Sequence, residues 1–204
     1  RPVDLGAIAA SGHYQAPVAR KPRVAILPTG SELVPVGQPV QAGDIIEYNS
    51  LVMAAQVQSW GASAPRFPIT ADVFQAIQDK VLEAARNHDL VLLNAGSSAG
   101  AEDFSAGVIA SLGEVLVHGV AVRPGHQVIL GMIHLEDRSV PVIGVPGYPV
   151  SAALTLEIFV AELIACWLGA RQPESPQVKA RLTRKVTSPA GDDESLRPLL
   201  RDLE

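Results

Sequence analysis

Short apolar runs, punctuated by glycine and proline, recur along residues 23–170, with longer stretches of helical periodicity between them. "RVAIL" (23–27), "DLVLLN" (89–94), "QVILGMI" (127–133) and "VPVIGVP" (140–146) are apolar at nearly every position. That is the pattern of strands buried on both faces. "APRFPI" (64–69) and "EVLVHGVAV" (114–122) also have strand length. The segment 70–88 sets Val73, Ile77, Val81 and Ala84 on one helical face, with Thr70 as a candidate cap. "NSLVMAAQVQSWGA" (49–62) predicts a helix capped by Asn49 or Ser50 and ended at Gly61. "FSAGVIASLG" (104–113) predicts a short helix and 148–170 a long one, whereas 29–46, with Gly and Pro at intervals, reads as a loop. Strands alternating with helices imply an α/β fold, a mostly parallel sheet with helices on both faces.

The flanks differ in style. Residues 1–22 form a mixed lead-in: a short helical "PVDLGAIAASG", then a stretch punctuated by Pro17 and Pro22. After Gly169 comes a linker, "RQPESPQ", and then "VKARLTRKV" (178–186), whose alternation predicts a half-exposed strand. The expected division is therefore a lead-in (1–22), a core domain (23–172), and a linker with the first part of a β-domain (173–204). The opening at Arg1 and the unresolved ending read as a piece of a longer protein.

Composition narrows the function. Apolar residues are 48% of the chain, enough for a sizeable core, and the net charge of -5 without any Lys/Arg run argues against a nucleic-acid partner. The single cysteine, Cys166, excludes an internal disulfide and a cysteine-based zinc site, and is expected to be a buried small hydrophobe. The most apolar stretch, 150–168, carries Glu157 and Glu162, so it reads as a buried helix and not as a membrane span. Cytoplasm is the default location.

Four segments could carry chemistry. In "LPTGSEL" (27–33), the backbone around Gly30 can form an anion nest, and Glu32 is either a ligand for a hard cation such as Mg²⁺ or a solvated turn residue. In "NAGSSAGAEDF" (94–104), a Gly/Ser turn follows a strand and precedes a helix, the geometry for phosphate at a helix N-terminus. Neither nucleotide fingerprint is present there, and Asp103 or Ser105 can cap the helix, with metal binding the alternative for Asp103. In "VRPGHQ" (122–127), Arg123 can fork onto an oxyanion, and His126 is a proton donor, a second anion contact or an exposed turn residue. "VPGYPVSA" (145–152) is a strand-to-helix turn with a bulky Tyr148 in its middle. Each follows a strand, and ligands of open α/β sheets bind beyond the carboxyl ends of the strands. No GxSxG elbow supports covalent hydrolysis.

Taken in order, "RVAILPTGSELV", "AGDIIEYNS", "NAGSSAGAEDF", "VHGVAVRPGHQ" and "GVPGYPVSA" resemble the MoeA family of molybdopterin molybdotransferases, which includes the E domain of gephyrin. The resemblance implies a three-layer α/β/α molybdopterin-binding fold followed by the start of a C-terminal β-domain. It implies a homodimer that takes adenylated molybdopterin and molybdate, uses Mg²⁺, inserts the metal and releases AMP. Thr29, Gly30 and Glu32 match the first motif, Asn49 and Ser50 the second, Gly96, Ser98, Gly100 and Asp103 the third, Pro124 and Gly125 the fourth, and Pro146, Gly147, Pro149 and Ser151 the last. The implied roles are metal for Glu32 and Asp103 and oxyanion for Arg123 and His126. The implied pterin-phosphate contacts are Thr29, the turn 96–100 with Ser97, and the turn of Gly147 and Tyr148. The chain departs from the family pattern at Arg123 and His126 (family lysines), Gln127 (a proline), Tyr148 (an asparagine) and Ala95 (a glycine). These departures keep an alternative open: a module of the same fold that binds or senses molybdopterin or molybdate without catalysis.

Overall fold

In the computed structural model, which describes residues 2–95, 101–170, 179 and 190–195 (the side chains of 101–103 apart), the apolar runs build one five-stranded sheet. Its strands are β1 (Val24–Pro28), β4 (Leu90–Asn94), β5 (Gly113–His118), β7 (Ile129–His134) and β8 (Ser139–Val145), in the order β1-β4-β8-β7-β5. β1, β4 and β8 pair in parallel. β7 is antiparallel to both β8 and β5, so four of the five strands point the same way. The expected mostly parallel sheet is present, with β7 the one reversed strand.

Side chains alternate across the sheet, and both sides are apolar. Val24, Ile26, Leu90, Leu92 and Val145 face one layer, formed by α2 (Asn49–Ser59) and the composite helix α5 (Pro149–Trp167). Ala25, Leu27, Val91, Leu93 and Val142 face the other, formed by α3 (Phe74–Asn87) and α4 (Ala101–Leu112). Burial of one such side chain stabilises by about 1.5–3 kcal/mol, so the central strands hold the three layers together.

Several expectations change. The stretch read as a loop contains β2 (Leu33–Pro35) and β3 (Ile45–Glu47), two short strands paired in parallel. "APRFPI" runs beside β1 through isolated bridges only, at Ser63, Arg66 and Thr70. Pro65 and Pro68 have no N–H to continue a ladder. Thr70 does not cap α3; its N–H donates to the Pro28 carbonyl and its carbonyl accepts from Gly30 N–H, and the N-cap is Val73. Within α5, Leu156–Val160 form a π turn. Cys166 lies on the outer side of α5 and is exposed, because the inward position is taken by Ile164, two residues or about 200° earlier. The lead-in helix α1 (Pro2–Ala10) buries none of its residues. The strand expected over 178–186 falls almost wholly outside the described residues.

At the opposite end of the strands, Asp89 accepts two bonds from the Arg20 guanidinium (2.9 and 2.7 Å) and one from Arg23 N–H (2.7 Å). The Arg20 hydrogen bond holds the Asp89 carboxyl below its ordinary range.

Candidate functional site

The strand register brings the sequence motifs together at the carboxyl ends of β1, β4 and β8. Thr29 N–H donates to the Asn94 carbonyl (2.9 Å), and Ala95 N–H to the Val145 carbonyl (3.2 Å). Asn94 is buried, and its Nδ2 donates to the carbonyls of Val145 and Pro146 (3.3 and 3.1 Å). Asn94 thus ties the three strand ends into one floor. Thr29 is buried in it as well, its Oγ1 3.4 Å from the Asn94 carbonyl.

Gly30 turns the chain sharply out of β1. A Cβ there would lie 2.7 Å from Leu33 Cγ and 3.1 Å from Glu32 Oε2, so any larger residue would force Leu33 to move. Glu32 is half-buried behind this turn, and its Oε1 is buried without a hydrogen-bond partner among the described residues. Beside it, Ser31 and Asp72 exchange bonds: Ser31 N–H donates to Asp72 Oδ2 (3.2 Å), and Asp72 N–H donates to Ser31 Oγ (3.1 Å).

The start of α2 differs from its expected capping. Its N-cap is Tyr48, with no side-chain capping bond. The buried carboxylate of Glu47 does that work: Oε1 accepts from Ser50 N–H (2.8 Å) and Oε2 from Ser50 Oγ–H (2.6 Å). Ser50 Oγ also accepts from Arg66 Nη1 (3.2 Å). Ser50 is therefore turned inward to Glu47, whereas Asn49 faces the crevice and donates from Nδ2 to the Gly147 carbonyl (2.7 Å). That bond links the α2 and α5 starts directly.

At α5 the N-cap is Tyr148, again without a side-chain capping bond, and Pro149 opens the helix. Ser151 is buried in the first turn. The turn of Pro124 and Gly125 backs onto it: a Cβ at Gly125 would lie 3.5 Å from Thr155 Oγ1 and 3.6 Å from the Ser151 carbonyl. Arg123 is ion-paired through Nε to Asp192 Oδ2, in a segment that pairs β9 (Asp193–Glu194) with β6 (Val122–Arg123). His126 is exposed, and its carbonyl accepts from Val120 N–H (2.8 Å).

Two cavities open here. One of about 170 Å³ is lined by Leu33, Ile45, Tyr48, Asn49, Gly147 and Tyr148, among others. A wider one of about 980 Å³ lies on the other side of Leu33 and Glu47 and is lined in part by Gly30, Ser31, Arg66 and Phe67. The structure thus gathers Thr29, Gly30, Glu32, Asn49, Pro146, Gly147, Tyr148 and Ser151 at one end of the sheet. Gly96, Ser97, Ser98 and Gly100 lie outside the described residues, as does the side chain of Asp103. Asp103 and Ser105 fall inside α4, which begins at Ala101, and so neither precedes the helix as a cap would. Among the described residues no group of three or more His, Cys, Asp or Glu is placed to hold a metal. Sequence reasoning did not single out Glu47, Arg66 or Tyr48. The only available signal was an acidic residue just before an Asn-Ser helix start.

Residues 25–165 match the family model described as a "probable molybdopterin binding domain". A Mycobacterium tuberculosis protein named molybdopterin molybdenumtransferase 2 is 34% identical over 98% of this chain, which covers 50% of that protein. A Bacillus subtilis molybdopterin molybdenumtransferase is 32% identical over 89% of this chain and 42% of its own length. Among solved structures, the molybdopterin biosynthesis MoeA protein from Pyrococcus horikoshii superposes with a TM-score of 0.71 at 32% identity, covering 80% of this chain and 40% of that one. The chain therefore spans about half, or less, of the length of these relatives.

Proposed function

Because the chain belongs to the molybdopterin-binding domain family, we propose that it acts in molybdenum cofactor biosynthesis, binding adenylated molybdopterin and inserting molybdate with release of AMP. The observation that carries this reading is the convergence of Thr29, Asn49, Asn94 and Gly147 at the carboxyl ends of three parallel strands. Ligands of such sheets bind at that end.

In this reading the phosphates sit at the helix starts that follow residues 96–100 and Gly147. The anion nest expected around Gly30 is not available, because the N–H groups of Thr29, Gly30 and Ser31 donate to Asn94, Thr70 and Asp72; Thr29 and Gly30 instead shape the floor of the site. Mg²⁺, when bound, neutralises phosphate charge. Its ligands would be Glu32, whose Oε1 has no hydrogen-bond partner among the described residues, and Asp103. Oxygen donors of this kind suit that ion. Arg123 and His126 orient the oxyanion, and the reaction relies on positioning and charge neutralisation, with no protein nucleophile. The reading carries with it a cytoplasmic homodimer and a core domain bounded near residues 23 and 172.

The test combines the protein with adenylated molybdopterin, molybdate and Mg²⁺ and follows AMP by chromatography. AMP release that depends on molybdate is expected. Ligand binding without any AMP release by the folded protein overturns the enzyme reading.

A second reading, a binding or sensing module, is favoured by one observation: the Arg123 guanidinium is already committed to Asp192. Under it, AMP release appears only in the double variant His126→Lys, Tyr148→Asn, which restores the family residues.

A further inference from the structure

The geometry points to Tyr48 and Tyr148 as a two-sided clamp for a flat fused heterocycle with a hydrogen-bonding edge. Both residues line the cavity of about 170 Å³, together with Leu33, Ile45 and Ile46. That volume suits one fused ring system and not a whole nucleotide. Neither tyrosine serves the core: Tyr48 is 45% and Tyr148 63% exposed. Neither uses its side chain to cap the helix it precedes. The ring pairs among the described residues are Phe67 with His88 and Phe74 with Phe104, so neither tyrosine is already stacked on another ring.

The backbones that carry the two tyrosines are also held relative to each other. Each sits at a helix start, and the Asn49 Nδ2 bond to the Gly147 carbonyl joins those starts by one hydrogen bond of 2.7 Å. Tyrosine has few rotatable bonds, so a ring presented from a fixed backbone loses little entropy on stacking. Asn49 also offers a polar edge. Its bond to Gly147 uses one of the two Nδ2 hydrogens, so one N–H donor and the acceptor Oδ1 remain. A donor beside an acceptor selects a ring edge that carries the complementary pair. Adenine and pterin both present such an edge, and the substrate proposed above contains both. The identity of the ring rests on that proposed function; the clamp itself does not.

Titration calorimetry with adenosine, 6-hydroxymethylpterin and ribose 5-phosphate tests it on the wild-type protein and on Tyr48→Ala, Tyr148→Ala, Tyr48→Phe and Tyr148→Phe. Base–aromatic stacking of the usual strength predicts that each alanine variant loses about 10-fold in affinity for the ring compound, equivalent to about 1.4 kcal/mol. The phenylalanine variants keep it, and ribose 5-phosphate binding does not change. Binding of adenosine alone assigns the clamp to the adenylate, and binding of the pterin alone assigns it to the pterin; either supports it. Three results overturn it: wild-type protein that binds neither ring compound, alanine variants with unaltered ring affinity, or alanine variants whose only defect is a lost dimer in sedimentation. AMP release measured on the same proteins separates the two ideas. Full turnover in both alanine variants removes the clamp and leaves the enzyme reading. Tyrosine-dependent ring binding without wild-type turnover does the reverse.

Discussion

Ser50 shows how one residue sets what its neighbours can do. It donates both N–H and Oγ–H to Glu47 and accepts from Arg66, while 1% exposed. Glu47 closes the first turn of α2 from outside the helix, while Tyr48 at the N-cap makes no side-chain capping bond and lines the neighbouring cavity. The sequence pattern pointed to Asn49 or Ser50 as the cap, since short polar side chains are the usual ones. A carboxylate reaching forward from the residue before the cap leaves no comparable signal. Glu47→Ala should lower unfolding stability by about 1–3 kcal/mol, the cost of a lost buried partner, as measured by urea denaturation. Ser50→Ala should cost a similar amount, and the double variant clearly less than the sum, because both remove one network. Additive losses would show that the two side chains act separately.

At the scale of elements, legibility followed burial. β1 and β4 are buried at every position, and their continuous apolar runs announced them. β2 and β3 have three residues each and are mostly exposed or half-buried, so the surrounding Gly and Pro outweighed any strand pattern. The π turn of α5 was not legible either, because one extra residue in a turn leaves the composition unchanged. Strand β7 carries a packing requirement that hydropathy alone does not reveal. A Cβ on Gly131 would lie 2.6 Å from Ile109 Cγ2 and 2.7 Å from the Glu114 carbonyl oxygen, so α4 and β5 both press on this strand. Gly131→Ala should destabilise the fold by about 1–3 kcal/mol through overpacking, seen as a lower midpoint in thermal unfolding. Gly6→Ala is the control. Nothing lies within 4 Å of the added methyl, and within the exposed helix α1 the change should be neutral or stabilising by up to about 1 kcal/mol.

Across the whole molecule, the site is assembled by chain topology, and this is where the sequence was least informative. The strand-to-loop rule placed Thr29 and Gly147 at one end of the sheet and the family resemblance added Asn49, and the structure has all three there. They could not show that residue 192 returns to residue 123. Arg123 read as an uncommitted cation for an oxyanion, yet Asp192 holds its guanidinium and β9 pairs with β6 beside it. An anion bound at Arg123 must therefore compete with a carboxylate already there. The pair is partly solvated, with Arg123 55% and Asp192 21% exposed, so the competition is modest. Exposed pairs of this kind are worth about 0.2–1 kcal/mol. Asp192→Asn keeps the shape and removes the charge. It should raise apparent affinity for molybdate by about 1.4- to 5-fold in AMP-release titrations, which is that energy range converted. The gain should shrink as salt screens the pair, and affinity for the uncharged ring compounds should not move. Unchanged molybdate dependence in Asp192→Asn would place the oxyanion away from Arg123 and return the role to other donors at the carboxyl end of the sheet.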